Sequence, residues 1–170
     1  LMFSRGSNPV RLCFKSVEDR ERVIEVLQGV GLGDRLDSIA GILGRIPGGR
    51  IAPCIDLTPD GVRPRVGFEC YPDSQAASSR SFARSVIDGF RDSGRVDAAK
   101  AEAFLGIEGW AELDRRGGVQ RTINHVKVLL EADDQVTVKG YLALNRRPTP
   151  AFGSDVDPDA NDGPNLAPPD

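Results

Sequence analysis

Apolar and polar residues alternate one by one over five stretches of the chain, and apolar residues recur every three or four positions over four others. The alternating stretches are Pro9–Lys15, Arg50–Leu57, Val62–Tyr71, Thr122–Leu130 and Val136–Asn145, and this two-residue period predicts strands. The helical stretches fall between them. Ser16 serves as the expected N-cap of the first, in which Val17, Val23, Ile24, Leu27 and Val30 form one stripe up to Gly31. The second runs from about Asp34 to Ile46, ahead of Pro47-Gly48-Gly49. A third spans about Ala76 to Ser93, with Phe82, Val86 and Phe90 aligned. The fourth spans Val96 to Leu105 and is expected to continue loosely to Trp110 and Leu113, before a loop at Gly117-Gly118.

Turn residues join these elements. Thr58-Pro59-Asp60-Gly61 closes one hairpin, and Ala132-Asp133-Asp134 closes another. Pro53 and Pro64 lack ladder donors, which predicts an edge or a bulge at the start of the first hairpin. The order is one strand followed by two helix–helix–strand–strand units. The predicted class is α+β: an antiparallel sheet of about five strands, a half or open barrel, with two helix pairs packed on its apolar face. Residues 9–147 read as a single domain. Residues 1–8 read as a disordered N-terminus, and residues 148–170 as a disordered, acidic, proline-rich tail.

Composition adds little until the strands are aligned. The 170 residues carry a net charge of -3. Five tail aspartates (Asp155, Asp157, Asp159, Asp162 and Asp170) more than account for it, so the body is slightly basic. That balance argues against a nucleic-acid partner but leaves room for a local anion site. No apolar run reaches the ~20 residues of a membrane span, and no export signal is visible, so a cytoplasmic location is expected. Cys13, Cys54 and Cys70 are odd in number and widely spaced, which reads as reduced thiols rather than a disulfide framework. With a single histidine and no close cysteine spacing, no metal site and no cofactor are expected.

The strand parity carries the candidate chemistry. Val10, Leu12, Phe14, Val66, Phe68, Cys70, Val126, Val128 and Leu130 fall on one face. Arg11, Lys15, Arg65, Glu69, Tyr71, His125, Lys127, Lys139 and Tyr141 fall on the other. The second face is either wetted by solvent or an enclosed anion pocket. His125 and Glu69 are the residues able to act as acid or base.

The helix pairs alternating with hairpins, and Lys139-Gly140-Tyr141 facing His125-Val126-Lys127, resemble the ABBA-type aromatic prenyltransferases, including the indole and cyanobactin peptide prenyltransferases. The hairpin over Ile123–Leu144 also resembles one in a group of uncharacterised bacterial proteins. The first resemblance implies a closed antiparallel barrel in a ring of helices, acting in a natural-product pathway. It implies that Arg11, Lys15, Arg65, Lys127 and Lys139 bind an isoprenoid diphosphate. It also implies that Tyr71 and Tyr141 shield the allylic cation, and that Glu69, with His125, serves the acceptor. Five strands make about half of such a barrel, so a second chain or further segment is expected to complete it. The alternative is a non-catalytic accessory or binding domain that holds a small molecule or peptide on the same face.

Overall fold

The computed structural model describes residues 2–3, 9–72, 78–93, 96–114 and 117–148. The acidic tail beyond Pro148 lies outside the described residues. Of the first eight residues, Met2–Phe3 are described.

The strands are β1 (Met2–Phe3), β2 (Val10–Cys13), β3 (Arg50–Thr58), β4 (Gly61–Tyr71), β5 (Gly109–Asp114), β6 (Gly117–Leu130) and β7 (Val136–Pro148). The helices are α1 (Arg20–Gly29), α2 (Leu36–Arg45), α3 (Ser79–Gly89) and α4 (Ala98–Leu105). All strand pairs are antiparallel. The path β1-β2-β3-β4-β6 is continuous, β7 lines the far side of β6, and β5 pairs with the first half of β6. The two ends of the sheet do not meet, so the expected α+β sheet is present and open.

Helix starts follow the local chemistry. Asp19, not Ser16, caps α1, by accepting from the amides of Glu21 and Arg22. Ser78 caps α3 and Asp97 caps α4. An aspartate in the right place outcompetes the earlier serine, because Ser16 and Val17 are still held against β3: Val17 exchanges backbone hydrogen bonds with Ile51.

The core lies between the helices and the apolar sheet face. Val23, Leu27, Ile39 and Leu43 meet Ile51, Ile55, Val66, Phe68, Val126 and Val128, with Val86, Phe90 and Leu105 from the second helix pair. Each such side chain contributes about 1.5–3 kcal/mol on burial. This face therefore holds the fold, and the opposite face is free to carry polar groups.

Two sequence expectations need correction. The fourth helix stops at Leu105, and Trp110 belongs to strand β5. Gly106 caps the helix, and Gly109 at φ 145° turns the chain into the strand, a conformation open to glycine. Gly117-Gly118 is likewise not a loop but the start of β6. An added Cβ at Gly118 would run into the Trp110 ring, so the glycine is there to let the indole cross the strand.

The prolines are accommodated in two ways. Pro64 sits in the bulge where Ile55 and Leu57 lose step with β4, as expected. Pro53 lies in an interior strand, but the residue opposite it across β2 is Phe14, just past the end of that strand. Its missing donor is lost where the ladder stops.

Candidate functional site

Register builds the polar face in rows that run across the strands. In one row Ala52, Glu69, Lys127 and Lys139 are successive cross-strand partners. In the next, Arg50 pairs with Tyr71, and His125 pairs with Tyr141. The rings join these two pairs: Tyr71 and His125 centroids are 5.0 Å apart, and His125 stacks on Tyr141 at 4.4 Å. The parity of the sequence thus places Lys127 and Lys139 side by side, with His125 and Tyr141 beside them.

The charges are less free than the sequence implied. Lys127 Nζ donates to Glu69 Oε1 at 3.0 Å, and the Tyr71 hydroxyl donates to Glu69 Oε2 at 2.9 Å. Burial works against the charge on Glu69, yet these two hydrogen bonds bring its pKa below the usual value. Burial likewise opposes the charge on Lys127, and its neighbours, Glu69 among them, outweigh it and raise the pKa. The lysine stem lies over Gly67, where an added Cβ would come within 2.7 Å of Lys127 Cε. Arg11 is forked onto Asp56 at 2.7 and 2.8 Å, which holds that carboxyl below the ordinary range. Arg65 Nε lies 3.1 Å from Glu131. The space enclosed by Arg11, Cys54, Asp56, Arg65, Gly67 and Lys127 is too narrow for a water molecule.

Of the expected diphosphate ligands, Arg11, Arg65 and Lys127 therefore each face a carboxylate. Lys139 is exposed on β7, and Lys15 is exposed beyond the end of β2. Sequence reading missed Asp56, whose partner Arg11 lies across the ladder on β2, 45 residues away in the chain. It also missed Trp110, which is 44% exposed and shares the face of Tyr141, itself 40% exposed. The face follows from Trp110 pairing with Gln120, and Gln120 with Asn145 on β7.

His125 stands apart. It is 9% exposed, and neither ring nitrogen has a hydrogen-bond partner among the described residues. Burial lowers its pKa, so the ring is neutral at pH 7. A neutral imidazole has one donor and one acceptor, and both are unmet here. Most buried polar groups are satisfied, so such a group calls for an explanation.

One thiol and carboxylate cluster was also unexpected. Ligand atoms of Cys13, Cys54 and Glu69 lie within 4.8 Å of one another. The sulfurs are 2.8 Å apart, closer than the roughly 3.8 Å that two ~2.3 Å zinc–sulfur bonds impose in a tetrahedral site. Both Glu69 oxygens are already engaged. The geometry is that of a thiol pair beside an ion pair.

Compared with protein-family models, curated proteins and solved structures, the chain matches none of them.

Proposed function

We propose that this chain is a non-catalytic binding module whose ligand lies on the polar face of the sheet, across the Arg50–Tyr71–His125–Tyr141 row. The observation that carries the reading is His125, buried between two tyrosines with its donor and acceptor unmet among the described residues. Both nitrogens are covered in the free protein, so the ligand displaces a covering side chain, supplies a hydrogen-bonding group there and removes the cost of that orphan.

The charge pattern selects the ligand class. Arg50 on β3 and Lys139 on β7 are exposed cations at opposite sides of the aromatic row. Three strand spacings separate their strands, about 14 Å. An acidic peptide in extended conformation spans that distance, places carboxylates on both cations and lays side chains on Tyr141 and Trp110. In this reading the module works in the cytoplasm, and it needs no metal.

A second reading has its own observation. Lys127 and Lys139 are direct partners beside His125 and Tyr141, the pattern of an isoprenoid diphosphate site of the prenyltransferase kind. It requires Lys127 to exchange Glu69 for phosphate, and a second chain along the free edge of β7 to enclose the lumen.

Because His125 is the only histidine, its ring resonances are unique in the chain. The test titrates labelled protein with a synthetic peptide of alternating glutamate and tyrosine, with inorganic pyrophosphate and with geranyl diphosphate. The binding-module reading expects saturable movement of the His125 ring with the peptide, lost in Arg50→Ala plus Lys139→Ala. Movement with geranyl diphosphate and not with peptide replaces it by the second reading. A ring unmoved by all three overturns both.

A further inference from the structure

We infer that Cys13 and Cys54 are an oxidisable pair that closes to an intramolecular disulfide, with a disulfide such as oxidised glutathione as the oxidant. The inference stands apart from the peptide reading, since it rests on strand register and thiol geometry alone.

Cys13 and Cys54 are direct partners across β2 and β3, and their sulfurs are 2.8 Å apart. The ladder fixes the kind of pair. Phe14 donates its amide to the Pro53 carbonyl, which makes residues 14 and 53 a hydrogen-bonded pair. Hydrogen-bonded and non-hydrogen-bonded pairs alternate, so 13 and 54 are a non-hydrogen-bonded pair, with Cα atoms about 4.5 Å apart and side chains close. That spacing lies within the range of about 4.4–6.8 Å that disulfides span, so the bond needs no large backbone movement.

The surroundings assign the order of events. Cys13 is exposed and Cys54 is buried. Burial, and the hydrogen bond Cys54 donates to Cys13, raise the Cys54 pKa. The Cys13 thiolate attacks one sulfur of oxidised glutathione, forms a mixed disulfide and releases one glutathione, which takes up a proton. Cys54 then gives up its proton and attacks the Cys13 sulfur, expelling the second glutathione as its thiol. Two protein thiols are oxidised and one glutathione disulfide is reduced to two glutathione molecules. Lys127 and Arg11 line the same space as Cys54 and favour its thiolate as the second step proceeds.

Cys70 is an internal control. It is buried on the helix side of the sheet, its thiol donates to the Phe68 carbonyl, and burial pushes its pKa up to about 12.

The experiment exposes reduced full-length chain to graded ratios of oxidised to reduced glutathione, then measures intact mass and maps disulfide-linked peptides. The expected product has lost two hydrogens, links the peptide of Cys13 to that of Cys54, and keeps Cys70 as a thiol. Its melting temperature rises by several degrees, because the link closes a long loop in the unfolded chain. Cys54→Ser is expected to stop at a glutathione adduct on Cys13. Cys13→Ser, at an exposed position, is expected to fold and to show neither link nor adduct. A wild-type end product that carries glutathione on Cys13, a link to Cys70, or no reaction at ratios that oxidise ordinary vicinal thiols would overturn the inference.

Discussion

Glu69 and Lys127 are cross-strand partners on β4 and β6, joined at 3.0 Å, with their side chains 17% and 5% exposed. Neither charge is tolerable there alone. Removing one partner of a buried pair costs about 3–5 kcal/mol, whereas replacing both with neutral residues of similar shape is often neutral. Lys127→Met is therefore expected to destabilise by that order, and Lys127→Met with Glu69→Gln to recover most of it. Lys139→Ala, on the exposed side of the same row, is expected to stay within about 0.5 kcal/mol of wild type. Urea denaturation of the four proteins checks this. Equal losses for the single and double variants would mean that the pair is not coupled.

Gly67 makes that pair possible. A methyl group at position 67 meets Lys127 Cε at 2.7 Å and Leu129 Cδ2 at 3.2 Å. Gly67→Ala is expected to push the lysine off Glu69 and to cost about 1–3 kcal/mol, as overpacking does. In a Glu69→Gln, Lys127→Met background the same substitution is expected to cost less, because no ammonium is then pinned in place. Chemical denaturation in both backgrounds is the check. An unchanged cost would place the clash on Leu129 instead.

Stability is expected to fall with acid in two steps. The folded-state pKa of His125 is lowered from 6.5, so the unfolded chain takes up its proton first. Stability then drops as pH falls from about 6.5 toward the folded value. Glu69 and Asp56 are lowered from 4.5 and 3.8. Their contribution is complete above those values and is lost as pH falls through the folded ones. Thermal melts from pH 8 to pH 3 are expected to show both steps, and His125→Phe to erase only the upper one. A melting temperature flat between pH 7 and pH 5 would contradict the burial of a neutral imidazole.

Most of the sheet was legible from alternation, because one apolar face fixes parity and a one-residue slip would expose Phe68 and Val128. The same parity placed Lys127 beside Lys139 and His125 beside Tyr141. What stayed hidden were relationships of side chains across strands that are distant in sequence. Nothing local marks Asp56 as the partner of Arg11, or Cys13 as the partner of Cys54. The strand at Gly109–Asp114 was lost because Trp110 and Leu113 continue the helical spacing, and only the glycines at 106 and 109 argued otherwise. Basic residues on a face were read as available for an anion, but charge pairing depends on register, which single-strand patterns do not give.

The most direct test of the binding site is the stability of His125→Phe. If the imidazole serves a ligand, the free protein bears an unmet donor and acceptor that phenylalanine removes while keeping the stack between Tyr71 and Tyr141. The variant is then expected to be more stable than wild type by about 1 kcal/mol, a rise of about 2–4 °C in melting temperature. A loss of 1 kcal/mol or more would mean that His125 supports the fold, and the account of the polar face as a binding site would lose its main observation.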